Sequence, residues 1–402
     1  MRKPVLFICI AALCAALLPG CTREQLQPDN KNVISVSLPD LETRTEINGV
    51  KVSWTAGDAI VVNGTASSPL TEDASVGQFS FGEAVSTPYE GVYPASIYKD
   101  AGTITLPSER SADSQVVPLG GRSETAGQLH FSPLTAMLKV TVVGTAETVV
   151  KKVVVAGMGG EQIAGDFTID YTTLALTGAS TAEADKSLTV NCDVNLAQPL
   201  ELYLPVPSGE YPQGFKVTVT DQSGEIMTRN TSARTMAAGQ LRNMPAVTWK
   251  VNGIADAADF VAFAEAVNSG APTLQWENAE GWVNLLADID FSEVSSWTPV
   301  GFATAPWSSY NPAVTEGNAF TGKFDGNAHH IKNLHIVCNE TVAGRHWGIF
   351  GCLGEGAIVQ NFVIEENCSL TVNSSASHSA GMIAGVLYDA DVRDVTSYAP
   401  LT

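Results

Sequence analysis

Positive charge is scarce in this chain. Lysine and arginine together number 22, against 42 aspartates and glutamates, for a formal net charge of −20. A surface this acidic repels nucleic acid, whose binding is driven by neutralising phosphates. It also repels anionic lipid, so charge does not hold the chain to a membrane. Cysteine is sparse: seven residues in 402 exclude a disulfide scaffold. The apolar run from Val5 to Leu18 counts 14 residues, short of the roughly 20 that a spanning helix needs. The Gly-x-Ser-x-Gly elbow, the phosphate loop and the His-Glu-x-x-His helix are all missing. So are His-x-x-x-His and paired-cysteine spacings, so no metal ligand set and no cofactor are expected.

What is present begins with a leader. Arg2 and Lys3 precede the apolar run, the order of a secretory signal over residues 1–20. The following Leu18-Pro19-Gly20-Cys21 resembles the lipobox of bacterial lipoproteins, which implies that Cys21 is acylated and becomes the mature N-terminus. Membrane attachment is then expected through lipid alone. Residues 21–32 are polar and aperiodic, a flexible tether. Cys9 and Cys14 leave with the signal. Cys192 alternates with Val190 and Val194 and reads as a small buried apolar residue. A bridge among Cys338, Cys352 and Cys368 stays open.

From Val33 to Trp249 the pattern has period two. Ile34, Val36 and Leu38 alternate with polar residues, as do Leu138, Val140 and Val142, and Phe215, Val217 and Val219. Such strands have one buried and one wet face. Turn signals between them, including Asp221-Gln222-Ser223-Gly224, point to antiparallel β-sandwiches. The length suggests two, over residues 33–144 and 145–250.

Residues 253–402 differ. Phe260, Phe263, Ala264 and Val267 share one helical face, with Asp256 as N-cap and Gly270 as the stop. Then Val359-Gln360-Asn361-Phe362 recurs 33 residues later as Val392-Arg393-Asp394-Val395, and a similar Ile331-Lys332-Asn333-Leu334 lies 28 residues earlier. A fixed period of this size means a solenoid. With strands and glycines but no helices in the units, a parallel β-helix fits, its first coil capped by the helix. Asn333, Asn361 and Asp394 are expected to stack on successive coils, with Phe350, Phe362, Ile383 and Val395 inside. The repeats stop at Thr402 soon after a core, so the last coil is expected either to be exposed or to continue in a longer protein.

Two resemblances follow. Thr43-Arg44-Thr45, Val52-Ser53-Trp54-Thr55-Ala56-Gly57-Asp58, and Leu129-His130-Phe131 leading into Ala136-Met137-Leu138-Lys139-Val140 resemble the fimbrillin-like surface lipoproteins of Gram-negative anaerobes. That resemblance covers residues 33–249. It implies paired sandwiches, anchoring at the outer membrane, and a place in adhesive pili. It further implies proteolysis after Arg44, freeing a groove for a neighbour's strand and so self-assembly by strand exchange. Residues 282–402 resemble the Gly-rich β-helical repeats of bacterial adhesins, including the GLUG motif. They do so through Leu286-Ala287-Asp288-Ile289-Asp290-Phe291, Trp297-Thr298-Pro299-Val300-Gly301 and Phe320-Thr321-Gly322-Lys323-Phe324-Asp325-Gly326-Asn327.

Residues able to carry chemistry have plainer readings. His329 and His330 are adjacent, so on a strand they point apart. Asp325, Arg345, His346, Asp389 and Asp391 could line a β-helix face, as in some polysaccharide lyases and hydrolases. Yet Asp325-Gly326 is a turn signature, and Asn333, Asn361 and Asp394 read as a structural ladder. Five of seven tryptophans follow residue 270. Trp297 and Trp347 sit in repeat elements and read as core, while Trp307, between Ala303 and Asn318, is the candidate for contact with a glycan. The expectation is an all-β, lipid-anchored adhesin or fimbrial-type protein, binding a surface glycan or protein rather than catalysing. The rivals are a carbohydrate-active enzyme and a purely structural pilus subunit.

Overall fold

The computed structural model describes residues 32–38, 53–113, 116–304, 317–339, 343–376 and 379–400. The fold is all-β. Antiparallel, sandwich-like sheets are followed by a parallel β-helix with one capping helix. Among the described residues no helix is long and apolar enough to cross a membrane.

The first core lies between two sheets. One holds Val33–Ser37 between Gln128–His130 and Val76–Ser80; the other runs Ser132–Pro133, Leu119–Ser123, Tyr89–Tyr93, Val61–Val62, Thr65–Ala66. Ile34, Val36 and Phe79, inward on their strands as the alternation requires, bury together with Trp54 and Phe131 from outside those strands. The second core lies between a sheet centred on Thr135–Val143 and one centred on Val149–Gly157. Hydrogen-bonded pairing crosses residue 144. Thr135–Val143 pairs with Leu200–Pro207, and Glu109–Ser111 joins Ser187–Asn195. Period-two alternation says which face of a strand is buried but not which strand lies beside it.

The helix Ala257–Ser269 starts and stops as its sequence predicts. The Asp256 side chain accepts from the Asp259 amide, and Gly270 adopts the left-handed conformation at φ 72°. Its buried face packs on the first coil: Phe260 lies on Phe291, Trp297 and Phe324, and Phe263 on Trp276 and Phe320.

Coils then stack in parallel. Trp282–Asn284 pairs with Lys323–Asp325, that strand with the first half of Ile358–Ile364, and the latter with Asp391–Ser397. Gly326 sits at a corner where a Cβ would come within 2.2 Å of the Phe362 Cβ, so no side chain fits. Phe350 and Phe362 are buried as expected, but Ile383 and Val395 are only half-buried.

The expected three-coil ladder needs correction. Gln360 faces Arg393 and Phe362 faces Val395, which sets Asn361 opposite Asp394. Ile331, however, aligns with Ile364 rather than Val359. Asn333 therefore belongs to another ladder. Its Nδ2 donates to Asp290 (2.8 Å), and its Oδ1 accepts from Asn367 Nδ2 (2.8 Å). The two corners look alike in sequence because both need a residue at positive φ, 57° at Asn333 and 65° at Asn361. Asn and Asp tolerate that conformation best after glycine.

Candidate functional site

The first strand is the element with functional potential. Val33–Ser37 runs antiparallel to Val76–Ser80 and parallel to Gln128–His130. Both of its edges are paired, and Ile34 and Val36 point into the core. Removing it would uncover two strand edges and an apolar floor.

The Trp54-Thr55-Ala56-Gly57-Asp58 motif holds this strand from within. Trp54 Nε1 donates to the Val36 carbonyl at 2.9 Å. Asp58 Oδ2 accepts from the Thr55 amide at 2.8 Å, and Asp58 Oδ1 from Tyr93 Oη at 2.8 Å. Burial, with the Asp58 carboxylate adding to it, pushes the Tyr93 phenol well above its ordinary range, so it stays a neutral donor. Tyr93 and Phe79 stand edge-on to the Trp54 ring, with centroids 5.1 and 4.9 Å away. The motif is thus a packing and hydrogen-bonding hub under the first strand.

Cys21, Arg44 and Trp307 all lie outside the described residues. Trp276, Trp297 and Trp347 are buried. Trp297 Nε1 donates to the Gly348 carbonyl (3.1 Å), which fixes it as core. Cys192, Cys338, Cys352 and Cys368 are free thiols, so the last three form no bridge. Burial pushes the thiols of Cys192 and Cys352 up to about 11, so both stay protonated at neutral pH.

Of the residues of the enzyme reading, Asp325 and Asp391 share one parallel sheet and His346 lies in another. Asp325 accepts from Gln360 Nε2 (2.6 Å) and Asn361 Nδ2 (3.1 Å), as part of a coil-to-coil ladder. Arg345 lies over the Phe302 ring at 4.7 Å. His346 is buried in a different sheet, its strand paired with Ser379–Ala380. Asp391 is exposed, 3.7 Å from Arg393. Among the described residues no group of three or more His, Cys, Asp or Glu could hold a metal ion.

The histidine pair joins neighbouring coils. His330 Nδ1 lies 2.5 Å from Glu365, while its amide donates to Asp288 Oδ1 at 3.0 Å. Lys332 Nζ donates to Asp288 Oδ2 at 2.7 Å. Chiefly through Lys332, and then the His330 amide, the Asp288 carboxyl is held down at about 2. A depressed carboxyl stabilises the fold above its unfolded pKa and loses that contribution as pH falls through its folded one. Asp288→Asn should therefore destabilise the β-helix at pH 6 and make little difference near pH 2. Thermal melts of both proteins across that range test this; an equal difference at both ends would count against the ion pair. The effect should be small, because the pair is solvent-exposed.

No family model matches the chain. Halomucin of Haloquadratum walsbyi is 30% identical over 177 residues, covering 42% of this chain and 2% of that protein. The chain thus spans a small fraction of this curated relative. Similar solved structures include a candidate cell adhesion protein from Bacteroides ovatus, with 12% identity, a TM-score of 0.39, and coverage of 54% of this chain and 91% of that one. Another from Bacteroides uniformis has 14% identity and a TM-score of 0.37, covering 56% and 94%. A fimbrial protein from Bacteroides vulgatus has 9% identity and a TM-score of 0.27, covering 54% and 95%. Likenesses this loose carry no functional weight.

Proposed function

We propose that this chain is a lipid-anchored cell-surface protein that works by binding, as an adhesin or fimbrial-type subunit. The observation that carries this reading is the place of the first strand. In sequence the tether after Cys21 leads into Val33–Ser37, a strand paired on both edges, so the proposed anchor precedes an element that a neighbour's strand could replace. Cleavage after Arg44 would free that strand, and an extended segment of a second copy would restore both ladders. This favours a polymerising subunit as the second reading. The working surfaces are the sandwich faces and the β-helix of residues 253–402. Its partners are surface glycans or proteins, and the membrane is engaged only through the lipid. The acidic surface keeps nucleic acid away.

The experiment is metabolic labelling with a radioactive fatty acid. Wild type should be labelled and sediment with outer membranes; Cys21→Ser should lose both properties. Equal label in the variant would sink the anchored reading. N-terminal sequencing of the cellular protein separates the two modes: a blocked Cys21 means simple anchoring, a free Thr45 means maturation at Arg44.

A further inference from the structure

Several lysines of this acidic chain sit beside carboxylates: Lys151 with Asp193, Lys186 with Glu183, Lys250 with Asp259. Among the described residues Lys152 and Lys216 belong to no ion pair, and both line one groove. In the sheet centred on Val149–Gly157, Lys152 is opposite Thr220, Val154 opposite Thr218 and Ala156 opposite Lys216; Thr218 in turn faces Thr228. Val153, Val155, Val217 and Val219 fill the core behind. Alternation therefore sends the lysines and threonines to the outer face.

That face is walled along one side. Leu274, Glu277 and Asn278, from the segment leading into the first coil, stand over it. Buried Asn252 fixes the wall. Its Oδ1 accepts from the Thr228 amide (2.8 Å), and its Nδ2 donates to the carbonyls of Leu274 (2.9 Å) and Glu277 (2.8 Å). The groove between holds about 740 Å³, within the range of about 300–1,000 Å³ typical of small-ligand sites.

We propose that this groove binds an acidic oligosaccharide, with uronate-type carboxylates held by Lys152 at one end and Lys216 at the other. Four residues of strand separate the two positions, about 13 Å by strand rise. That separation suits carboxylates on different sugars of a chain better than one small acid. Lys186 also lines the groove, and Ser187, next to it, is opposite Ala156, which is opposite Lys216; Glu183 neutralises it in part. Glu277, which accepts from Thr273 (2.5 Å), adds negative charge to one wall, so the ligand's carboxylates belong at the lysine ends. Between them Thr218 and Thr220 offer hydroxyls to ring hydroxyls, and Val154 and Ile226 offer apolar surface to ring faces. A peptide adding as a strand needs a free backbone edge. Here the backbone of the central strands is already paired on both sides.

The proposal rests on the reading of the chain as a binding protein, but not on its anchor or its first strand. The test is calorimetric titration of the mature full chain with tetragalacturonate and with neutral galactotetraose. The acidic oligomer should bind at least tenfold more tightly, and more weakly as salt rises. Lys152→Gln with Lys216→Gln should weaken it at least tenfold at unchanged melting temperature, while Lys151→Gln, turned toward Asp193, should bind as wild type. Absent uronate binding, equal binding of the neutral oligomer, or full binding by the double variant would overturn it. Tighter binding of a polyglutamate peptide would also overturn it, and would reassign the groove to acidic peptides. Such a failure beside normal fatty-acid labelling at Cys21 would remove this site and leave the anchored reading standing.

Discussion

Replacing Phe324 with alanine should cost the β-helix about 3–5 kcal/mol, the range for deleting a buried phenylalanine from a close-packed core. Phe324 is fully buried and joins three elements. Its ring stacks on Phe260 of the capping helix at 5.6 Å and meets Phe350 and Phe362 of the coils above edge-on, at 5.3 and 5.8 Å. Truncation leaves a hole that neither the helix nor the hydrogen-bonded coils can close. Coils couple mainly to their neighbours, and the sandwich cores form separate clusters. Urea unfolding followed by hydrogen exchange should thus show loss of protection over residues 254–400, with residues 116–249 largely unaffected. A loss below about 1 kcal/mol would mean that the core collapses around the gap.

Trp54→Ala should be comparably severe in the first core, again about 3–5 kcal/mol. Trp54→Phe is the more telling variant. It keeps most of the packing but removes the indole's bond to the Val36 carbonyl, which its ladder partner still serves, so the loss should be about 0.5–1.5 kcal/mol. The loss should concentrate in Val33–Ser37, which the indole holds directly. Amide exchange in that strand should therefore accelerate more than in Val149–Gly157. Unchanged protection at Ile34 and Val36 would show that the ladders alone secure the strand.

The sequence made the capping helix legible because its signals are local: Asp256, Gly270 and the apolar face of Phe260, Phe263, Ala264 and Val267 all act within a few turns. The 33-residue step from Val359 to Val392 was equally plain, since stacked coils repeat their core. The phase of Ile331 was not. Its Asn-bearing corner mimics the next one, and the true partner of Val359 is Phe324, 35 residues earlier. Lysines 152 and 216 gave no signal either. Each looks like an ordinary outward residue of an alternating strand, and the wall that makes a groove of that face comes from residues 274–281, far along the chain.

The first coil and the one above it differ most in length between two paired positions. Val300 pairs with Phe350 and Phe320 with Leu353. Three steps of chain in the upper coil thus correspond to twenty in the lower, yet the stack closes on both sides of the excursion. Both ends are pinned: the Val300 amide donates to the Ile349 carbonyl and the Phe320 amide to the Cys352 carbonyl. Doubling the length of a flexible stretch between fixed ends adds only about 0.6 kcal/mol of closure entropy. Sequence inserted between these two pinned positions should therefore leave the pitch of the coils on either side unchanged, so that a foreign epitope could be carried there.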